Sequence, residues 1–317
     1  SCSVIVCSRG GRSMYSIIDC PASLWWTCAM TDTPAFSRPA TGRYFIKMHG
    51  LRNHFVIVDG REEAFRPARE DIVRICDPQT GVGGDQLIIL EAPTADGMAA
   101  GAIAFMRILN VDGVEAEACG NATRCVAWLL LAELDTDELI VETVAGLIDC
   151  RRTGELEVAC TMGRVSTDWQ DVPLSRETDT HHVDVGNGPL ADGVALSIGN
   201  PHIVYFVDRV DDVDLEKFAP AVQQDALFPN GVNVGIAEVV DDTHLRSVVF
   251  ERGAGLTTAC GSGACVAAFA ALARSLTDAR ELTVSMRAGD VRIAISADGV
   301  ATMTGPVAYC FSGYLDG

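Results

Sequence analysis

The 317-residue sequence has twelve cysteines and six histidines, yet it contains no Cys-x-x-Cys and no His-Glu-x-x-His. Zinc ribbons, zinc fingers and thioredoxin-type redox centres therefore lack their spacing signals. Lysine is nearly absent, with only Lys47 and Lys217, which leaves almost no candidate for a Schiff-base lysine. Basic residues are few, 24 against 43 acidic ones, for a net charge of −19. Such a surface repels phosphate backbones and anionic headgroups, so neither nucleic acid nor membrane is an expected partner. No apolar run reaches the roughly 18 residues that a spanning helix needs. A contiguous apolar core of the secretory-signal type is missing too, so reduced thiols in a cytoplasm are expected.

What is present is globular. At 48% hydrophobic residues the chain buries enough apolar surface to offset its conformational entropy, and its length favours two domains. Residues 1–42 stand apart: they hold four cysteines and the Trp25-Trp26 pair without helical or strand periodicity. They read as an extension outside the fold, with Met30 as the natural start. From Tyr44 onward, short apolar runs such as Phe55–Val58, Gln86–Leu90 and Ala102–Leu109 predict strands. A helix is predicted over Ala122–Leu134, then strands near Leu139–Glu142 and Leu156–Met162. Residues 163–190 are polar and turn-rich and read as a crossing between lobes. Strands follow near Val194–Ile198, Ile203–Val207, Val232–Val240 and Leu245–Phe250, then a helix over Gly263–Leu276. Three more strands are predicted near Leu282–Met286, Val291–Ile295 and Val300–Met303. One long apolar helix per strand-rich half makes this an α+β chain of two lobes.

Both helices are approached through the same residues, Ala118-Cys119-Gly120-Asn121 and Ala259-Cys260-Gly261-Ser262, with the cysteines 141 positions apart. Asn121 and Ser262 read as N-caps. A cysteine just outside a helix N-terminus meets free N–H groups and a positive dipole end, which favour the thiolate. The glycine after it lets an anion reach the backbone amides. One Ala-Cys-Gly alone would read as a buried core cysteine; two copies at two helix starts point to chemistry. Opposed thiols in a cleft suit inversion of a carbon acid, one removing a proton as the other supplies one. Helix-start amides would hold the carboxylate as it becomes an enediolate-like dianion. No metal or organic cofactor is needed. Cys125 and Cys265 lie among apolar helix residues and read as core; Cys76, Cys150, Cys160 and Cys310 read as structural.

Several blocks extend the pattern: Lys47–Phe55, Gly81–Gln86, Asn110–Gly113 with Ala118–Asn121, Gly199–His202, Gly231–Gly235, and Glu251–Gly255 with Ala259–Cys265. In this order they resemble the diaminopimelate epimerase family, from about Phe45 to the C-terminus. The resemblance implies a cofactor-independent epimerase interconverting LL- and meso-2,6-diaminopimelate, in lysine and peptidoglycan synthesis, cytoplasmic and homodimeric. It also implies two similar lobes, each a mixed, mostly antiparallel sheet wrapped around a central helix. The N-terminal lobe would span 43–162 joined by 305–317, and the C-terminal lobe 163–304. By the same resemblance Cys119 and Cys260 are base and acid, tuned by His202 and Glu251. Gly120, Asn121, Gly261 and Ser262 are the amide-donating helix starts. Asn53, Gln86, Asn110, Asn200, Asn233, Glu251 and Arg252 bind substrate, and a guanidinium such as Arg252 suits the distal carboxylate. Asp85 and Asp112 read as turn residues.

Three departures from the family pattern bear on this. Gly50-Leu-Arg-Asn-His-Phe55 replaces Gly-Leu-Gly-Asn-Asp-Phe, adding Arg52 and His54 beside Asn53. Ala122 replaces a glycine, and Phe311 stands where the family often has a tyrosine at the dimer contact. The alternatives are a proline or hydroxyproline racemase, whose first site reads Cys-Gly-His, a thiol redox protein, and a non-enzymatic binding protein.

Overall fold

The computed structural model describes residues 6–9, 12–15 and 42–315. Strands β1 (Val6–Arg9) and β2 (Arg12–Tyr15) pair antiparallel, in a stretch where no strand was expected. Four-residue strands are too short to show a convincing alternation in sequence. Met30 and the Trp25-Trp26 pair lie outside the described residues.

Residues 42–315 belong to one unit, built from the same design twice. The first half runs β3 (Arg43–Gly50), β4 (Asn53–Asp59), α1 (Arg69–Cys76), β5 (Gln86–Glu91) and α2 (Ala95–Ala99). It continues with β6 (Ala102–Asn110), β7 (Glu115–Ala116), α3 (Gly120–Glu133), β8 (Glu138–Thr143), β9 (Gly146–Gly154) and β10 (Glu157–Arg164). The second half runs β11 (Val194–Ser197), β12 (Pro201–Phe206), α4 (Leu215–Gln223), β13 (Asn233–Asp241), β14 (His244–Glu251) and β15 (Gly255–Leu256). It ends with α5 (Gly261–Ala273), β16 (Glu281–Met286), β17 (Gly289–Ile295), β18 (Val300–Pro306) and β19 (Ala308–Leu315).

Pairing repeats as closely as order does. β3–β4 and β11–β12 are antiparallel, β4–β5 and β12–β13 parallel, β5–β6 and β13–β14 antiparallel. β6–β8 and β14–β16 are parallel, and each sequence ends in two antiparallel steps, β8–β9–β10 and β16–β17–β18. The halves are joined where β10 pairs antiparallel with β18. β19 returns to β3, and a Ser166–Ser197 bridge makes the corresponding return to β11. Each sheet wraps one helix: α3 is buried from Asn121 to Ala127 and again over Leu129–Leu131, and α5 over most of its length. Helices apolar all round are central ones. In α5 the buried face is largely alanine, which lets strands approach closely.

The predicted strands and both long helices are present. The structure adds β3, β7, β9, β15, β19, α1, α2 and α4. β9 and β19 alternate polar and apolar weakly and leave most residues exposed or half-exposed, so pairing rather than burial holds them. The 163–190 crossing is less polar in effect than its composition suggests: Val172, Leu174, Val183 and Leu190 are buried with Tyr205 and Ile203. Apolar residues spaced this widely give no periodic signal. Cys76, Cys125, Cys150, Cys160 and Cys265 are buried, as befits packing residues, whereas Cys310 is exposed on β19.

The β3–β4 hairpin carries a cost. Leu51 and Arg52 form its two-residue turn, with φ of 52° and 61°. Such turns want φ > 0 at both positions, which side-chain-bearing residues adopt at about 1–2 kcal/mol each. Leu51 is held there by burial against the second half's core, with Gly289 beside it. Arg52 is exposed and has no such compensation. Arg52→Gly should therefore raise unfolding stability by about 0.5–1 kcal/mol after glycine's extra chain entropy is deducted. Urea denaturation measures this; a loss of stability would contradict it.

Candidate active site

The carboxyl or amino ends of corresponding strands supply corresponding side chains. Asn53 opens β4, Gln86 opens β5 and Asn110 closes β6. In the second half Asn200 immediately precedes β12, His202 lies within it, Asn233 opens β13 and Glu251 closes β14. Register pairs Gln86 with Asn110, and His202 with Asn233. Asn110 and Glu251 each stand nine positions before their cysteine, so the two half-sites are built on one template. They differ in chemistry. Glu251 occupies the place of Asn110, and His202 the place of Phe55, so the second half carries the ionisable groups.

Each cysteine is itself the N-cap of its helix. Cys119 caps α3 and Cys260 caps α5, both with extended backbone, and their carbonyls accept from Thr123 and Ala264. Asn121 and Ser262 were expected as caps, but the glycines after the cysteines are already helical. The sulfurs thus lie directly at the free amides. Cys260 Sγ accepts from Gly263 N–H at 3.4 Å and lies 3.4 Å from Ser262 Oγ. Cys119 Sγ is 3.7 Å from Asn53 Oδ1.

The two helix starts meet the same residues. A Cβ on Gly120 would lie 2.7 Å from Met303 Cε and 2.8 Å from Met162 Cε. A Cβ on Gly261 would lie 3.1 Å from Met303 Cε and 3.7 Å from Met162 Cε. Met162 and Met303, on the paired strands β10 and β18, are themselves 141 positions apart, like the cysteines. Helices α3 and α5 also touch each other. One carboxylate, Glu251, acts on both sulfurs.

Around Cys260 the polar groups interlock. The Arg252 N–H donates to Asn233 Oδ1 at 2.8 Å, which leaves the Asn233 NH₂ to donate to His202 Nε2 at 3.3 Å. Ser262 Oγ and Asn200 Oδ1 lie 3.1 and 3.2 Å from the same nitrogen. Burial, and secondarily Arg252, push the His202 pKa down to about 3, so its ring is neutral. Thr257 donates to Glu251 Oε1 at 2.6 Å. The exposed Arg252 guanidinium donates to Asn230 O at 2.7 Å. In the first half Gln86 donates to Asn110 Oδ1 at 2.9 Å, and its own Oε1 is buried without a partner. Asp85 accepts from His54 N–H and Asn53, and Asp112 from Val114 N–H, which fits their turn roles. Arg52 is exposed, and the His54 ring packs on His49 at 5.1 Å between centroids.

The electrostatics differ from expectation. Helix starts lower thiol pKa values, but here burial raises both. Cys260 is pushed up to about 12 by desolvation and then by Glu251, against the Ser262 and Gly263 donors. Cys119 is raised by burial, while the Ala122 amide, Arg124 and the Asn121 amide act the other way. Among the described residues no His, Cys, Asp and Glu cluster could hold a metal.

The sequence reading missed Met162, Met303, Thr257 and Arg124. The shared 141-residue offset signals the methionines, and a lone charge within an apolar helix signals Arg124.

Comparison with known proteins now decides the family. The diaminopimelate epimerase family model matches residues 45–167 and 194–310, spanning both cysteines. The chain belongs to the diaminopimelate epimerase family. A diaminopimelate epimerase from Rhodospirillum centenum is 44% identical over 86% of this chain and 92% of that protein. Another, from Gluconobacter oxydans, is 44% identical over 85% and 97%. Among solved structures, a hydroxyproline epimerase from Agrobacterium vitis has a TM-score of 0.62 at 14% identity, covering 88% and 92%. A PhzF-family phenazine biosynthesis protein from Bacillus anthracis has 0.60 at 17%, covering 87% and 99%. At such identities these two share the fold alone, the α+β arrangement of two similar lobes around central helices.

With no ligand bound, iodoacetamide alkylation of Cys260 should keep accelerating with pH through pH 10, because the thiolate fraction is still rising tenfold per unit there. A plateau below pH 9, followed by peptide mass spectrometry, would contradict the buried-thiol account.

Proposed function

We propose that the protein interconverts LL- and meso-2,6-diaminopimelate, in lysine and peptidoglycan biosynthesis, by two-thiol proton transfer at one α-carbon. The observation carrying this reading is the pair of helix-capping cysteines whose following glycines abut the same two methionines. The lobes run 43–162 with 305–317, and 163–304. Cys119 and Cys260 face the α-carbon from opposite sides; one as thiolate takes the proton while the other as thiol delivers one, and the roles exchange with direction. Amides at Gly120, Asn121, Gly261 and Ser262 hold the reacting carboxylate and bind its dianionic form more tightly, where one such donor is worth about 10²–10³ in rate. Free backbone N–H groups at both helix starts support this role.

The inverted substrate centre carries one ammonium and the distal end another. Glu251 and the unpartnered Gln86 Oε1 are acceptors for such groups. An ammonium beside Glu251 cancels the carboxylate that raises both thiols, so substrate binding itself eases ionisation of the base. Asn53, Asn110, Asn200 and Asn233 orient the amino-acid groups without net charge, and Arg252 takes the distal carboxylate. Neutral His202 holds Ser262 beside Cys260 rather than supplying charge. The reaction needs no cofactor, and it needs both sulfurs reduced, which suits the cytoplasm. No described helix is long and apolar enough to cross a membrane.

Supplying diaminopimelate or proline in deuterated water separates this reading from a racemase of cyclic amino acids. Exchange at the α-position is expected with diaminopimelate only. Cys119→Ala and Cys260→Ala should each cut epimerisation by at least about 10³, given that positioned acids and bases contribute roughly 10²–10⁴ each. Turnover with proline, or activity surviving both substitutions, would overturn the proposal. A more active oxidised form would favour the redox alternative.

Homodimerisation through β19 completes the reading. Tyr309 and Phe311 on this strand are exposed at 45% and 46%, with the Lys47 ammonium 5.6 Å from the Phe311 ring. Phe311→Asp should yield monomers by light scattering; an unchanged mass would contradict this contact.

A further inference from the structure

Arg124 lies in the second turn of α3 and is completely buried. Among the described residues no carboxylate lies within ion-pair distance of it. Its ionisable neighbours are thiols: Cys160, Cys125, Cys119 and Cys265. Burying an unpaired guanidinium is expensive, and arginine does not shed its proton to escape the cost. The protein has nevertheless built a slot for it. A Cβ on Gly50 would lie 3.3 Å from Nη2, and one on Gly305 would lie 3.1 Å from Nε and 3.2 Å from Cζ. Missing side chains on β3 and β18 are what leave room for the guanidinium there. In the second lobe the corresponding position, 141 residues on, is Cys265, so the charge has no counterpart.

From this slot a directed hydrogen-bond chain runs to the Cys119 side of the cleft. Arg124 Nη2 donates to Asn121 Oδ1 at 2.7 Å, Asn121 Nδ2 donates to Asn53 Oδ1 at 3.3 Å, and Asn53 Nδ2 donates to Asp85 Oδ2 at 3.0 Å. A guanidinium can only donate and an ionised carboxylate only accept, so the two ends dictate how both amides face. Either amide turned over would set donor against donor or acceptor against acceptor. The result is that Asn53 presents its oxygen to Cys119 Sγ. Nη1 also donates to Met303 Sδ at 3.4 Å, beneath both helix starts.

We propose that Arg124 is a positioning residue for epimerisation, orienting Asn121 and Asn53 from one end of this chain and supplying, among the described residues, the one buried positive charge near the Cys119 sulfur. The proposal rests on the reading that Cys119 carries a proton in the reaction, and it assigns Arg124 no contact with substrate. Groups acting on Cys119 are the Ala122 and Asn121 amides, Arg124 and Glu251; loss of Arg124 leaves Glu251 the only charge among them. A lost unit charge at low dielectric outweighs any gain from a weak sulfur hydrogen bond once the amides are free to turn.

Two readouts test this on the full chain. The first is the iodoacetamide alkylation rate of Cys119 at pH 8.5 without substrate, with added N-acetylcysteine as internal reference. The second is kcat and KM for diaminopimelate. Arg124→Met should fold at least as stably as wild type, since it removes a buried unpaired cation. It should slow Cys119 alkylation about tenfold relative to the reference thiol, and lower kcat by about 10–100-fold with KM within threefold. Arg124→Lys, which keeps the charge, should recover most of the alkylation rate. Gly305→Ala, which crowds the guanidinium without removing it, should lower kcat in the same direction and serves if Arg124→Met does not fold. Unchanged alkylation and kcat in a folded variant, or a loss confined to KM, would overturn the proposal. Failure of the epimerase reading is distinct: wild type would then not turn over diaminopimelate, while the alkylation contrast would stand.

Discussion

The antiparallel pairing of β10 with β18 is the constraint on which the molecule depends. It joins the two sheets, and it carries Met162 and Met303 to the place where both helix starts converge. Only glycine fits at positions 120 and 261 without displacing these side chains. Helix, glycine, methionine and strand therefore fix one another, and each cysteine, as the residue before a helix's first turn, is fixed with them. A ligand held at one helix start is necessarily close to the other.

Two opposing electrostatic influences meet at these sulfurs. Helix amides favour thiolates at both sulfurs and Arg124 does so at Cys119, whereas burial and Glu251 favour thiols. Burial wins in the free protein, which keeps both sulfurs protonated near neutrality. This suits a site that must not expose a reactive thiolate to oxidants before substrate arrives. The polar half-sites share a template but not charge: Gln86 and Asn110 open β5 and close β6, where the second half has Asn233 opening β13 and Glu251 closing β14. A duplicated scaffold thus presents two polar half-sites that differ in charge.

Much of this was legible in the chain. The doubled Ala-Cys-Gly located both helices and both sulfurs, because a helix start needs a short local signal. Strands with uninterrupted apolar runs, such as Phe55–Val58 and Gln86–Leu90, declared themselves through burial on both faces. β9 and β19 did not, since their stability comes from neighbours on the sheet rather than from their own residues. Cap identity was misplaced because Asn and Ser are favoured caps, yet the backbone had already turned helical at the glycines. The sign of the thiol shifts was misjudged for a related reason: a dipole is local and readable, whereas desolvation depends on what the rest of the chain packs around the sulfur. Arg124 stood in plain sight as the one charge among buried α3 residues, but its slot is made by Gly50 and Gly305, 74 and 181 positions away.

The central claim is that two different sulfurs serve the two faces of one carbon. Its most direct measurement follows the label in the first turnovers of LL-diaminopimelate in deuterated water. The account predicts that product carries solvent deuterium at the inverted centre while unreacted substrate keeps its original hydrogen, because the delivering thiol has exchanged with solvent and the accepting one loses its proton to solvent on substrate binding, before it takes the substrate's hydrogen. Product that retains the substrate's own hydrogen would mean a single base works on both faces, and would contradict the account.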